Sequence, residues 1–152
     1  MFISPNYPDK KLENASIDDL IDVFEDRITF WLLKPAENLL NLNNGFISAV
    51  ALLLTYFEGF SIYQLGEKSE GKSKKFFRDA FVSVFKKTGD KEELLGRVAD
   101  VLYEDARCGF FHDGMFRDKI IFDTRKAKTL LVTLPKVEGK LDEKGKIQSV
   151  VI

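Results

Sequence analysis

The sequence predicts a mainly α fold: a helical bundle of four to five helices with a small C-terminal antiparallel β appendage. Three observations predict it. Apolar residues recur at helical spacing from Ile17 to Leu102. Capping residues and glycines punctuate those stretches. After Gly114 the pattern shifts to short β-branched runs. The chain has 152 residues, 45% of them hydrophobic, which suits one domain with a real core and is too apolar for disorder. Its 14 Phe residues alone fill much of a small interior. The expected division is an N-terminal arm over 1–15, the bundle over 16–114, and the β appendage of the same domain over 115–152.

Residues 1–15 read as irregular. Ser16 opens a capping box with Asp19, and Asp18 adds favourable charge to the first turn. Ile17, Leu20, Ile21, Phe24, Ile28, Trp31 and Leu32 then form one apolar stripe. This helix is expected to end near Leu33, because Lys34 precedes Pro35. A short helix over 36–42 stops at Asn43-Asn44-Gly45. The next helix, 45–65, is apolar on most sides, which places it in the middle of the bundle. Gly66 ends it. Ser73 caps a helix whose inner face is Phe77, Ala80, Phe81, Val84 and Phe85, and Gly89 ends it. Asp90 and Glu93 offer a second capping box before Leu94, Val98, Val101, Leu102 and Asp105. Residues 119–122, 129–133 and 147–152 read as strands.

Charge and composition exclude several function classes. Twenty-three basic residues against 24 acidic leave a net charge of −1, so no global attraction to nucleic acid exists and only a local patch supplies one. One Cys makes no internal disulfide, and with a single His it makes no His/Cys zinc site. No metal or cofactor is expected. The opening residues, 1–11, lack the apolar core of a signal peptide, and the apolar run 46–57 is short for a bilayer. A cytoplasmic protein with no membrane partner is expected.

Gly66-Glu-Lys-Ser-Glu-Gly71-Lys72-Ser73 matches the phosphate-loop pattern letter for letter, and Asp123 after Ile120-Ile121-Phe122 passes for the acidic strand end that helps hold magnesium. The mechanism requires a strand before the loop, so that backbone N–H groups face the phosphates. Here a helix is expected before it, and Glu67 and Glu70 would oppose phosphate. A polar interhelical loop is the preferred reading. Lys72, Lys74, Lys75 and Arg78 crowd the loop and the following turn. They are candidates to track an RNA backbone, with a solvated charged surface as the simpler alternative.

The informative stretch is Tyr103-Glu-Asp-Ala-Arg107-Cys-Gly-Phe-Phe-His112-Asp-Gly114, which holds the single His. Arg107 offers a permanently charged planar fork for phosphate oxygens. His112 offers an imidazole, a side chain able both to take and to give a proton. Together they suit phosphodiester cleavage, which moves one proton off the attacking hydroxyl, delivers one to the leaving oxygen, and builds charge on phosphorus between. On an unbroken α-helix a five-residue step is about 500°, so the two side chains diverge by about 140°. Convergence needs a loosening of the helix at Gly109, or a second chain.

Arg107-x4-His112, late in a helical bundle, resembles the motif of the HEPN family, and Arg107-Cys-Gly-Phe-Phe-His112-Asp-Gly is similar to a recurring prokaryotic form of it. The long apolar helix with an internal acid, Glu58, and the Phe-rich helix 76–85 add to the likeness, which covers residues 16–114 and leaves the tail outside. The resemblance implies a homodimer with two Arg–His pairs facing a shared cleft. It also implies a metal-independent endoribonuclease of toxin–antitoxin, phage-defence or RNA-processing systems, or a descendant of one, with RNA and an antitoxin or other protein as partners. The alternative it implies is a non-catalytic dimeric module that binds a protein or a nucleotide. Carried over, His112 is the acid/base and Arg107 the phosphate anchor. Glu58, Asp105 and Cys108 are supporting candidates; Cys108 stands where active relatives often carry Asn or another polar residue. A buried Glu58 would hold Arg107 or His112, whereas an exposed or helix-satisfied carboxylate is the slightly preferred reading. Phe110 and Phe111 suit base stacking, or a core or dimer contact.

Overall fold

A computed structural model of the chain describes residues 2–123, 130–138 and 140–152. It is mainly helical, with small strands towards the C-terminus, as the residue patterns predict. The chain divides into two compact units, Met1–Tyr56 and Phe57–Ile152.

The first unit begins with a hairpin, β1 (Phe2–Ser4) and β2 (Tyr7–Pro8), followed by a single tight turn over Asp9–Leu12. The sequence reading expects an irregular arm here and strands only after Gly114. The hairpin exists because helix α1 (Ile17–Arg27) anchors it. Asp26, buried on α1, accepts from the Asn6 backbone N–H at 2.9 Å and from the Asn6 side-chain amide at 2.6 Å. Arg27 donates through Nε to the Ile3 carbonyl at 2.7 Å. Ser16 caps α1 with both arms of the predicted capping box in place.

Burial tends to raise the Asp26 carboxyl, but the polar groups facing it, the Asn6 backbone N–H foremost and then the Ser4 hydroxyl and the Asn6 amide, together outweigh it and hold it below the ordinary value. A depressed carboxylate stabilises the fold above its ordinary pKa, and that contribution disappears as pH falls through the depressed value. The hairpin amides should therefore lose protection, measured as exchange relative to the intrinsic rate at each pH, on acidification through the carboxylate range. Asp26→Asn should show faster exchange already at neutral pH and lose this acid dependence. Unchanged amide exchange in Asp26→Asn, read by NMR, would remove the anchoring role.

Helix α1 does not end near Leu33. It continues through a widened stretch, Ile28–Leu33, into α2 (Lys34–Leu40), making one rod past Pro35. In this stretch the Lys34 N–H bonds the Thr29 carbonyl five residues back. Proline lacks an N–H and clashes with the carbonyl four residues earlier. A wider turn relieves both problems, so the helix persists where the sequence predicts a stop.

The face of this rod that the chain buries is also unexpected. Val23, Asp26, Leu32 and Ala36 are buried. Ile17, Leu20, Ile21 and Trp31, all on the predicted apolar stripe, are exposed. Helix α3 (Phe46–Leu65) begins after Asn44 and Gly45, and the boundary between units falls within it. By length and composition it is apolar enough to cross a membrane, though the run 46–57 alone is short for one. Only 22% of its most apolar window is buried, so it is not the fully covered central helix its composition predicts.

In the second unit, Gly66 ends α3 with positive φ, as expected. Helix α4 (Ser73–Phe85) follows the polar loop. Its N-cap is Lys72, and Ser73 instead lies inside the first turn, donating to the Ser69 carbonyl at 3.3 Å. Helix α5 (Glu92–Val101) is preceded by Lys91 with no side-chain cap, so the second capping box does not form. The α5 rod continues through a second widened stretch, Leu102–Asp113, and stops at Gly114 with positive φ.

The core of this unit is aromatic. Phe76, Phe77 and Phe81 of α4 are buried, whereas Val84 of the predicted face is exposed. Phe57 meets Phe77 and Phe81 edge-on, both at 5.2 Å between centroids, and Phe77 meets Tyr103 at 5.5 Å. Buried Ser61 donates to the Phe76 carbonyl at 2.7 Å, joining α3 to α4.

The β appendage is present, with one difference in pairing. Strands β3 (Ile120–Ile121), β4 (Leu131–Thr133) and β7 (Ser149–Val151) form a sheet ordered β3-β7-β4. The β4–β7 pair is antiparallel, but β3–β7 is parallel. The long excursion between β3 and β7 lets the chain return in the same direction. A second hairpin, β5 (Lys136–Val137) and β6 (Lys140–Leu141), lies within that excursion. Thr129, the first residue of one expected strand, lies outside the described residues.

Candidate functional site

The widened stretch Leu102–Asp113 carries the Arg–His motif, and its geometry follows from Gly109. The chain turns back after Gly114 and lies against this glycine. The Arg117 backbone N–H bonds the Asp105 carbonyl at 2.8 Å, and the Arg117 Nη1 donates to the Glu104 carbonyl at 3.0 Å. A Cβ on Gly109 would stand 2.8 Å from the Met115 carbonyl oxygen and 3.1 Å from Arg117 Cγ. The oxygen is backbone and does not yield easily. Gly109→Ala should therefore lower stability by about 1–3 kcal/mol, measured by urea unfolding. A neutral result would mean that the return segment is loosely held.

In a turn closed by bonds to the fifth residue, one revolution takes about 4.4 residues, so a five-residue step overshoots the eclipsed position by about 50° rather than 140°. Residues five apart thus share a side of the rod. Tyr103 and Cys108 have this spacing, and the two groups interact electrostatically. Burial first, and then Cys108, push the Tyr103 phenol above its ordinary value. Arg107 and His112 have the same spacing.

Arg107 is held from three sides. Its Nη2 lies 3.0 Å from Glu58 Oε2, with the two side chains 26% and 15% exposed. Its guanidinium carbon lies 5.4 Å from the Tyr103 ring centre and 5.5 Å from that of Phe111, one turn to either side. Glu58 is thus neither an exposed carboxylate nor one satisfied within its own helix, the pair of readings slightly preferred from sequence. The ring pair around Arg107 was not singled out from sequence, although aromatics four residues before and after an Arg are its signal. His112 and Phe111 are exposed. No hydrogen bond joins Arg107 to His112 among the described residues. Phe110 packs on Phe116 at 5.4 Å, which makes it a packing residue.

Asp105 takes a structural position. Its Oδ2 is 3.4 Å from Lys119 Nζ, an ion pair whose angle gives no hydrogen bond. Cys108 is a free thiol, half-buried. The four basic candidates come together around one open groove of about 370 Å³, with Gly71 and Asp100. All four are paired with acids: Lys72 with Glu67 at 3.0 Å, Lys74 with Glu104 at 2.6 Å, Lys75 with Asp79 at 2.5 Å, and Arg78 with Asp100 at 3.0 Å. The hydrogen bond between Lys74 and Glu104 raises the ammonium and lowers the carboxylate. The groove therefore carries far less free positive charge than its lysines alone imply.

The loop 66–72 follows helix α3 directly, so the strand that a phosphate-loop mechanism requires is replaced by a helix. No group of three or more His, Cys, Asp or Glu is placed to hold a metal among the described residues.

Comparison of the chain with protein-family models, curated proteins and solved structures found no match. The functional reading therefore rests on the residues.

Proposed function

We propose that the protein is a HEPN-type, metal-independent endoribonuclease, with Arg107 as phosphate anchor and His112 as acid/base. The observation that carries this reading is the widened turn Leu102–Asp113, which sets two residues five apart on one side of the rod. Glu58 and the two rings hold the guanidinium in place, which lowers the entropy lost on engaging a phosphate.

The reaction needs two proton transfers. A neutral imidazole takes the proton of the ribose 2′-hydroxyl as that oxygen bonds to phosphorus. A protonated imidazole gives a proton to the departing 5′-oxygen, leaving a 2′,3′-cyclic phosphate. One chain has one His, so a two-fold dimer supplies the second from another copy. In this reading the segment 103–114 lies at or beside the dimer interface, and the protein acts in the cytoplasm on RNA, with an antitoxin or other protein as a further partner.

A second reading has its own support. Glu58 already neutralises Arg107, and the basic groove is laced with acids, as suits a non-catalytic dimeric module. An assay on mixed RNA with EDTA present separates the two. The enzyme should cleave RNA but not DNA, leave cyclic phosphate or its opened form, and lose most activity in Arg107→Lys, since an ammonium lacks the planar fork. Failure to cleave any RNA tested, by a folded dimer, would establish the binding module instead.

A further inference from the structure

The apolar stripe of α1 faces solvent. Ile17 is 75% exposed, Leu20 and Trp31 each 52%, and Ile21 47%. Together they leave about 450 Å² of apolar side chain open, comparable to the largest apolar patch on a typical monomer, which is often functional. The opposite face, through Val23 and Asp26, is the one the chain covers.

The flanks of the stripe say what kind of surface completes it. At 100° per residue, Asp18 and Glu25 lie about 100° and 80° round the helix from Ile17, along one edge. Both are exposed, and neither makes an ion pair among the described residues. The neighbouring acids Asp19 and Asp22 are already neutralised by Lys11, at 2.7 and 2.8 Å.

A second copy is a poor match for this edge. An antiparallel two-fold pairing of α1 helices sets each flank against its own copy, and so brings Asp18 and Glu25 against acids. A parallel pairing would offer Arg27, whose guanidinium is already committed to the Ile3 carbonyl and lies 5.4 Å from the Trp31 ring centre. An anionic lipid surface is repelled by the same acids.

We propose that this face docks a helix of a protein partner, one with an apolar stripe flanked by lysine or arginine. The apolar stripes interdigitate in the manner of a helix laid along a groove, and the partner's cations pair with Asp18 and Glu25.

The chain supplies its own reporter, because Trp31 is its single tryptophan and sits on the stripe. The full chain is titrated with a synthetic helix of about 18 residues carrying a leucine stripe and lysine flanks, and with a twin carrying glutamate flanks. The lysine peptide should shift Trp31 emission to shorter wavelength and bind about tenfold or more tightly than its twin. Asp18→Lys with Glu25→Lys should reverse that preference. Leu20→Asp should abolish binding of both peptides while circular dichroism stays unchanged. Equal binding of the two peptides, or a preference that survives the double charge reversal, would overturn the proposal. So would a blue shift that grows with the chain's own concentration, which assigns the face to a second copy. A shift with neutral lipid vesicles and with neither peptide would also overturn it, in favour of a bilayer.

Discussion

His112→Ala should reduce RNA cleavage by about 10²–10⁴-fold while leaving the chain folded and dimeric. The size of the loss reports the role. His112 is exposed and makes no side-chain hydrogen bond among the described residues, so its removal breaks no packing and empties no buried site. A structural role would instead show as reduced stability with little selective loss of rate. The readout that separates the two is the pH profile: the wild type should show a bell of activity from one neutral and one protonated imidazole, and His112→Ala should flatten it. Mixed dimers of wild type and variant sharpen the test, since each contains one imidazole where the proposed reaction needs two. Equal rates for wild type and His112→Ala would trace the cleavage to a contaminating nuclease.

Phe77→Ala should be the most destabilising single change, at about 3–5 kcal/mol. Phe77 has no exposed surface, and its ring meets those of Phe57 and Tyr103 edge-on and stacks with Phe81 at 6.4 Å. Removing it leaves a cavity bordered by three rings that are themselves held by other contacts, so little collapse is available. Because Tyr103 flanks Arg107, the loss also reaches the candidate site. Urea unfolding checks the stability, and Phe77→Leu, which restores most of the volume, should recover much of it. A cost below about 1 kcal/mol would mean that this aromatic cluster is not the centre of the second unit's core.

The sequence by itself determined the features encoded within a few neighbouring residues. The Ser16–Asp19 capping box, the stops at Gly66 and Gly89, the Phe-rich inner face of α4 and the change to strands after Gly114 all depend on local backbone preference and side-chain spacing, and all are found. The position of Arg107 and His112 late in the bundle was legible for the same reason. Tertiary structure decided what depends on distant groups meeting. The Glu58–Arg107 pair spans 49 residues, and no local pattern around Glu58 names Arg107 as its partner. The hairpin at the N-terminus needs Asp26, 20 residues beyond Asn6, to satisfy it. The widened turns arise where a helix must absorb Pro35, or receive the chain returning from Gly114 against Gly109. The exposed stripe of α1 makes the same point in reverse. Periodicity reveals that a helix has an apolar face, but only the packing of the whole chain decides whether that face is spent on its own core or left for another molecule.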